Sequence, residues 1–228
     1  MTPESIAGLA AEIVACRRCP RLVKWREEAA SNPPARFARD RYWARPLPGF
    51  GDIGACIMVV GLAPAAHGGN RTGRLFTGDR SGDFLFASLY RTGFANQGTS
   101  VALDDGLSLL GIYIAAVVRC APPDNKPTPD ERTACLPYLV GELRFLPDLR
   151  VVVALGAVAW DGALRAMRDL GYAASPRPIF GHLAEARVGR LMLLGSYHPS
   201  QQNTFTGRLT QPMLDAVMVR ARELANLD

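Results

Sequence analysis

Four short runs in this chain are almost entirely apolar: CIMVVG (56–61), IYIAAVV (112–118), VVVALG (151–156) and LMLLGSYHP (191–199). A strand with one wet face alternates polar and apolar residues, whereas a strand buried on both faces does not. These runs therefore require a parallel sheet covered on both sides. The segments between them carry helical periodicity, over residues 80–92, 129–146 and 157–171. A closing helix over 211–226 puts Met213, Leu214, Val217, Met218 and Leu224 on one side. Strand–helix alternation of this kind gives an α/β fold with right-handed crossovers. A first helix is expected from Thr2, as its cap, and Pro3, in its first turn, with Ile6, Leu9, Ile13 and Val14 on one face. Residues 31–54, rich in Pro, Gly and Arg, read as an extended basic crossing anchored by Phe37, Tyr42, Trp43 and Phe50.

At 228 residues and 48% apolar content, one domain over 1–228 is expected, with a sizeable core. No run is long enough to span a bilayer, and the N-terminus lacks the basic start of a signal peptide. The expected location is the cytoplasm. The net charge of +5 fits a polyanionic partner. Lys24 and Lys126 are the only lysines, so contacts to phosphate would be mostly guanidinium.

In open parallel sheets, ligands bind beyond the carboxyl ends of the strands. Three of the four runs lead into unusual loops there: GLAPAAHGGNRTGRLFTGDRSGD, RCAPPDNKPTP and HPSQQNTFTGRLT. The first is glycine-rich but lacks the Lys-Ser/Thr of a nucleotide phosphate loop, and Pro64 interrupts any dinucleotide fingerprint. Small residues instead permit close approach of backbone to a ligand. Asp79 is either a helix cap or a carboxylate aimed at a reaction centre. Phe76 is either core or a stacking face for a planar ligand. Asn125 either closes an Asx turn or reads a polar edge. His198 is followed by Ser200, Asn203, Thr204 and Thr206, short donors suited to phosphate. Ser200 lacks the G-x-S-x-G elbow of a serine hydrolase.

Five cysteines in a cytosolic chain argue against a disulfide framework. Cys16 and Cys19 form a C-x2-C pair, and Cys120 and Cys135 form a second, wider pair. Four thiolates suit zinc or a [4Fe–4S] cluster. Cys56, inside the first run, reads as a core thiol.

Together the three loops and four spaced cysteines resemble the family 5 (type B) uracil-DNA glycosylases, from Cys16 to the last helix. The resemblance implies a three-layer α/β/α sandwich around a four-stranded parallel sheet. It implies a [4Fe–4S] cluster on Cys16, Cys19, Cys120 and Cys135, mainly structural. It implies a base pocket walled by the first loop, including Gly61 and Ala63, with Phe76 as its stacking face. Most of the superfamily carries a water-activating Asp, Asn or Glu in the first motif; here GLAPA presents Ala63. The acidic role then moves to Asp79, with His198 stabilising charge on the departing base and Asn125 contacting base or water. Family 4 enzymes read uracil with the Asn of N-V-V-K-C; this chain has AVVRC, with Ala116 at that position. The implied activity is a monofunctional DNA glycosylase with broad deaminated-base specificity, acting in base excision repair. The implied partner is DNA containing damaged bases, double-stranded with single-stranded as an open alternative, its phosphates meeting Ser200, Asn203 and the basic crossing. A nucleoid-associated monomer with no obligate protein partner is expected. The alternatives are a non-catalytic iron–sulfur nucleic-acid-binding module of the same fold and a zinc-dependent phosphoester hydrolase.

Overall fold

The computed structural model describes residues 4–226. Helix α1 (Ile6–Ala15) is followed closely by α2 (Pro20–Ser31) and, late in the crossing, by the two-residue strand β1 (Phe50–Gly51). Then come β2 (Ile57–Gly61), the short α3 (Gly69–Thr72), α4 (Arg80–Arg91), β3 (Ile112–Ala116) and α5 (Pro129–Phe145). The chain ends with β4 (Val151–Leu155), α6 (Ala157–Asp169), β5 (Glu185–Val188), β6 (Leu191–Ser196), the short α7 (Gln201–Phe205) and α8 (Gln211–Leu224). Thr2 and Pro3 lie outside the described residues. The cap seen on α1 is Ser5, whose Oγ accepts from the Gly8 N–H at 3.1 Å.

The four apolar runs form the four parallel strands, ordered β3-β2-β4-β6. The sheet has six strands rather than four, because β1 and β5 add antiparallel edges beside β3 and β6. Their sequences carry no apolar run: β1 is a single pairing step, and β5 (EARV) is mostly wet. Successive residues of a strand face opposite layers. Met58, Val60, Val152, Ala154 and Leu193 pack with α1, α5 and α6, while Ile57, Val59, Val151, Val153 and Leu194 pack with α4 and α8. This double core is why the runs show no alternation, and it makes the three layers.

Helix α2 has a mixed composition that does not announce it, although Pro20 at its first turn is a start signal. The crossing is mostly irregular, with a 3-10 turn at Ala35–Phe37. It is fastened to the sheet by a buried ion pair between Arg119 and Glu142. The Leu47 N–H donates to the Arg119 carbonyl at 2.8 Å, and the Gly49 N–H donates to Glu142 Oε1 at 2.9 Å. Cys56 sits one residue before β2 and is half-buried, rather than inside the strand. No helix among the described residues is long and apolar enough to cross a membrane.

From β2 the chain pairs first with β3 on one side, then returns to place β4 on the other. That reversal opens a crevice at the carboxyl ends of β2 and β4, the general position for a ligand in such sheets.

Candidate active site

The loop leaving β2 folds back on itself, and its small residues are what allow this. A Cβ on Gly61 would stand 2.6 Å from the Phe76 ring, and one on Gly68 would overlap the Asp79 carboxylate. The glycines thus let an aromatic ring and a carboxylate press against backbone. Phe76 has φ 54°, a left-handed conformation that is costly for a bulky residue and persists only where surroundings enforce it. The enforcement comes from the buried Arg74. Its Nε donates to Thr77 Oγ1 at 3.0 Å, and its Nη2 donates to Ser100 Oγ at 2.8 Å and Asp105 Oδ2 at 2.6 Å. Burial alone would raise the Asp105 carboxyl, but the Arg74 guanidinium and the amides of Val101, Leu107 and Ala102 outweigh it and hold it at about 2. On the other side, Arg71 bridges the His67 and Gly78 carbonyls, at 2.8 and 3.1 Å.

Asp79 does both things its sequence position allowed. Its Oδ1 caps α4 by accepting from the Gly82 N–H at 2.9 Å, and the carboxylate also lines the cavity at the sheet's carboxyl end. Burial raises its pKa above the ordinary carboxylate value, against the opposing pull of the Gly82 and Ser81 amides. A carboxylate so placed accepts a proton more readily than one in water. His198, just past β6, lies 6.2 Å from Phe76 between ring centroids, tilted by 32°. Burial pushes its imidazole down to about 4, so it is neutral at pH 7. Its carbonyl accepts from Asn203 Nδ2 at 2.8 Å, which fixes the start of the loop. Asn125 is exposed with φ 56°, in a 3-10 turn closed by its own N–H to the Pro122 carbonyl at 3.2 Å.

These residues meet in one cavity of about 520 Å³. Asp79, Asn125, His198, Ala63, Phe76, Ala116 and Ser200 all line it, although they come from four separate stretches of chain. Gly61 does not; it stands behind Phe76. Asn203 lines the adjoining cavity of about 300 Å³, which His198 and Leu62 share. The Ser200–Thr206 stretch is the short helix α7 rather than an open loop, with Ser200 as its cap. Among the wall residues that sequence reasoning misses are Arg80, Ser81, Gln201 and Gln202. Phe205 is 68% exposed with the Arg80 guanidinium over its ring at 5.3 Å, a placement its local sequence does not signal.

Away from this cavity, Cys16 caps the end of α1, Cys19 caps the start of α2, Cys120 follows β3, and Cys135 lies in α5. They are near enough that ionising Cys16 would oppose ionisation of Cys19, Cys120 and Cys135. N–H donors are turned toward the sulfurs. The buried Arg26 donates Nη1 to Cys120 Sγ at 3.0 Å, and the Arg119 backbone N–H donates to Cys135 Sγ at 3.3 Å. Burial pushes the free thiols up, Cys120 to about 12 and Cys135 to about 11. Such thiols ionise when positive iron or zinc sits among them, and N–H donors then steady the thiolates. Four thiols, two of them facing N–H donors, are the donor chemistry such a group requires. Among the described residues no three His, Cys, Asp or Glu side chains gather as the ligands of one mononuclear ion would.

The enclosed imidazole has a measurable consequence. The unfolded His198 takes up its proton near 6.5, and the folded one only near 4. It therefore costs the fold nothing above about pH 6.5 and draws stability from it as pH falls from there toward 4. In NMR titrations, the His198 ring nitrogens, assigned by loss of their signals in His198→Gln, are expected to stay neutral from pH 8 to about 5. A titration midpoint near 6.5 would contradict the enclosed, uncharged imidazole.

Comparison with known proteins agrees with the geometry. Residues 48–221 match the family model described as the uracil DNA glycosylase superfamily. The chain is 52% identical over 226 residues to a type-5 uracil-DNA glycosylase of Mycobacterium tuberculosis, covering 98% of this chain and 83% of the relative. It is 51% identical to that of Thermus thermophilus (94% of this chain, 96% of the relative) and 44% identical to that of Pyrobaculum aerophilum (92% and 88%). A four-strand parallel core whose loops converge on one carboxylate-, amide- and imidazole-lined cavity thus has its match in sequence, and the chain belongs to the uracil DNA glycosylase superfamily.

Proposed function

We propose that this chain is a monofunctional DNA glycosylase that removes uracil, and with it hypoxanthine and related deaminated bases, leaving an abasic site. The single observation that carries the reading is the convergence of Asp79, Asn125 and His198 on one cavity with an aromatic wall at Phe76. A base inside a duplex is out of reach, so it must leave the stack to enter such a pocket. Stacking on Phe76 offsets part of that cost. Phe205, exposed beside the cavity-lining Arg80, offers an aromatic ring to fill the gap left in the helix.

Cleavage of the glycosidic bond builds positive charge on the sugar and negative charge on the base. Asp79 answers the first: its carboxylate stabilises the sugar cation and takes the proton of the water whose oxygen bonds to C1′. The electron pair of the broken bond leaves with the base. His198 answers the second as a neutral donor toward the base, and Asn125 holds the base or the water. Lys126, beside Asn125, does not line the cavity, which favours hydrolysis over a Schiff-base route.

Ala116 supports breadth. It is buried at the end of β3, lines the cavity, and has no group to read a pyrimidine edge. Cys16, Cys19, Cys120 and Cys135 would hold a [4Fe–4S] cluster, whose role would be mainly structural. The protein works on DNA as a monomer.

Single-turnover assays on duplexes containing deoxyuridine or deoxyinosine test the reading. Asp79→Asn is expected to lose about 10²–10⁴-fold in rate, the usual weight of a positioned acid–base group. The wild-type rate should fall on the acid side at a pH above the ordinary carboxylate value of about 4, because Asp79 must be ionised and burial raises its pKa. Binding without turnover in the wild type would instead point to a non-catalytic module. Ala116→Asn should narrow the enzyme, depressing hypoxanthine release more than uracil release; equal effects would remove the argument from Ala116. Cys120→Ser should yield colourless protein with iron and sulfide lost together, where retained iron would sink the cluster assignment.

A further inference from the structure

A second concave surface lies outside the cavity and is lined by arginine. Along the outer face of α6 a groove of about 370 Å³ is bounded by Arg132, Arg165, Arg168 and Arg177. Three of these continue into a shallower depression of about 190 Å³. Asp161 is the one carboxylate on the groove wall, and Arg177 Nη2 is paired with it at 2.6 Å. Arg165 Nη2 donates to Thr133 Oγ1 at 3.1 Å, and Arg168 lies 3.8 Å from Asp169. Arg132 has a buried Nε with no hydrogen-bond partner. Four guanidinium groups against one lining carboxylate are more positive charge than folding needs, and like charges held together cost stability unless an anion joins them.

The groove shares a lining residue with the smaller cavity beside the candidate site. Val158, in the first turn of α6, lines both the arginine groove and the cavity beside His198. From there Asp161, Arg165 and Arg168 recur along one face of the helix, at the three- and four-residue spacing of neighbours. Ten residues from Val158 to Arg168 rise roughly 15 Å, about four base steps of one DNA strand. Guanidinium forks match phosphate oxygens.

We propose that the arginine groove along α6 binds the sugar–phosphate backbone of duplex DNA flanking the lesion, without reading sequence. The proposal rests on the glycosylase reading above. It predicts that the groove contributes the electrostatic part of affinity, for damaged and undamaged duplex alike.

The test measures dissociation constants of full-length protein on lesion-bearing and undamaged duplexes over a range of salt. Arg168→Gln with Arg177→Gln should make the slope of log affinity against log salt shallower by about 0.9 for each phosphate no longer neutralised, on both duplexes. Lysine at both positions should restore the slope, since neutralising a phosphate needs charge more than a fork. Lys24→Gln, an exposed charge on α2, should leave the slope as in the wild type. A wild-type slope in the double glutamine variant, or equal flattening per charge in Lys24→Gln, would overturn the groove assignment while leaving the glycosylase reading intact. A wild-type protein that neither binds nor excises would overturn both.

Discussion

Burying both faces of four parallel strands leaves only their ends free to carry polar chemistry. Every other feature of this molecule follows from that constraint. The strand interiors are dominated by Val, Ile, Leu, Ala and Met, alternating between two helical layers, with Tyr113 of β3 the polar exception. The carboxyl ends converge at the reversal of strand order, and three loops from distant parts of the sequence become one wall. The cavity is then walled by a rigid scaffold, and its enclosure shifts Asp79 upward and His198 downward in pKa. Both shifts have the same origin, since burial penalises whichever form is charged.

That environment suits a reaction in which charge appears only transiently. A neutral imidazole and a carboxylate in low dielectric interact with developing charge more strongly than the same groups in water. Their positions are held by hydrogen bonds from neighbouring side chains. Arg74 and Asp105 fix the turn carrying Phe76, Arg71 ties its two ends, and Asn203 fixes the backbone at His198. Cys120 joins this framework through Arg26, whose side chain reaches its sulfur and whose carbonyl accepts from Asn70 of the glycine-rich loop at 3.1 Å.

The parts legible in the sequence are those set by local pattern. Apolar runs specify the four parallel strands because nothing else buries both faces, and 3.6-residue periodicity marks α4, α5, α6 and α8 within a few residues. The edges β1 and β5 are invisible because pairing on one side demands no apolar run. Composition announces a ligand-hugging loop at 61–83, but neither the left-handed Phe76 nor its support can be read there. Arg74 and Asp105 are 31 residues apart, and Arg119 and Glu142 are 23 apart, so their pairing is a product of the fold. Asp79 is legible as cap or catalyst, and it is a cap whose carboxylate also lines the cavity. The arginines of α6 read locally as an ordinary solvated face; only the groove they share sets them apart.

The proposed activity requires the loop after β2 and His198, two residues past β6, to enclose an extruded base. A crystal structure of the protein with a duplex carrying a deoxyuridine analogue that resists hydrolysis tests it most directly. The base is expected out of the stack against Phe76, with His198 toward the base and the Asp79 carboxylate on the sugar side near C1′. A base still stacked in the duplex, or one held elsewhere with Asp79 remote from the sugar, would contradict it.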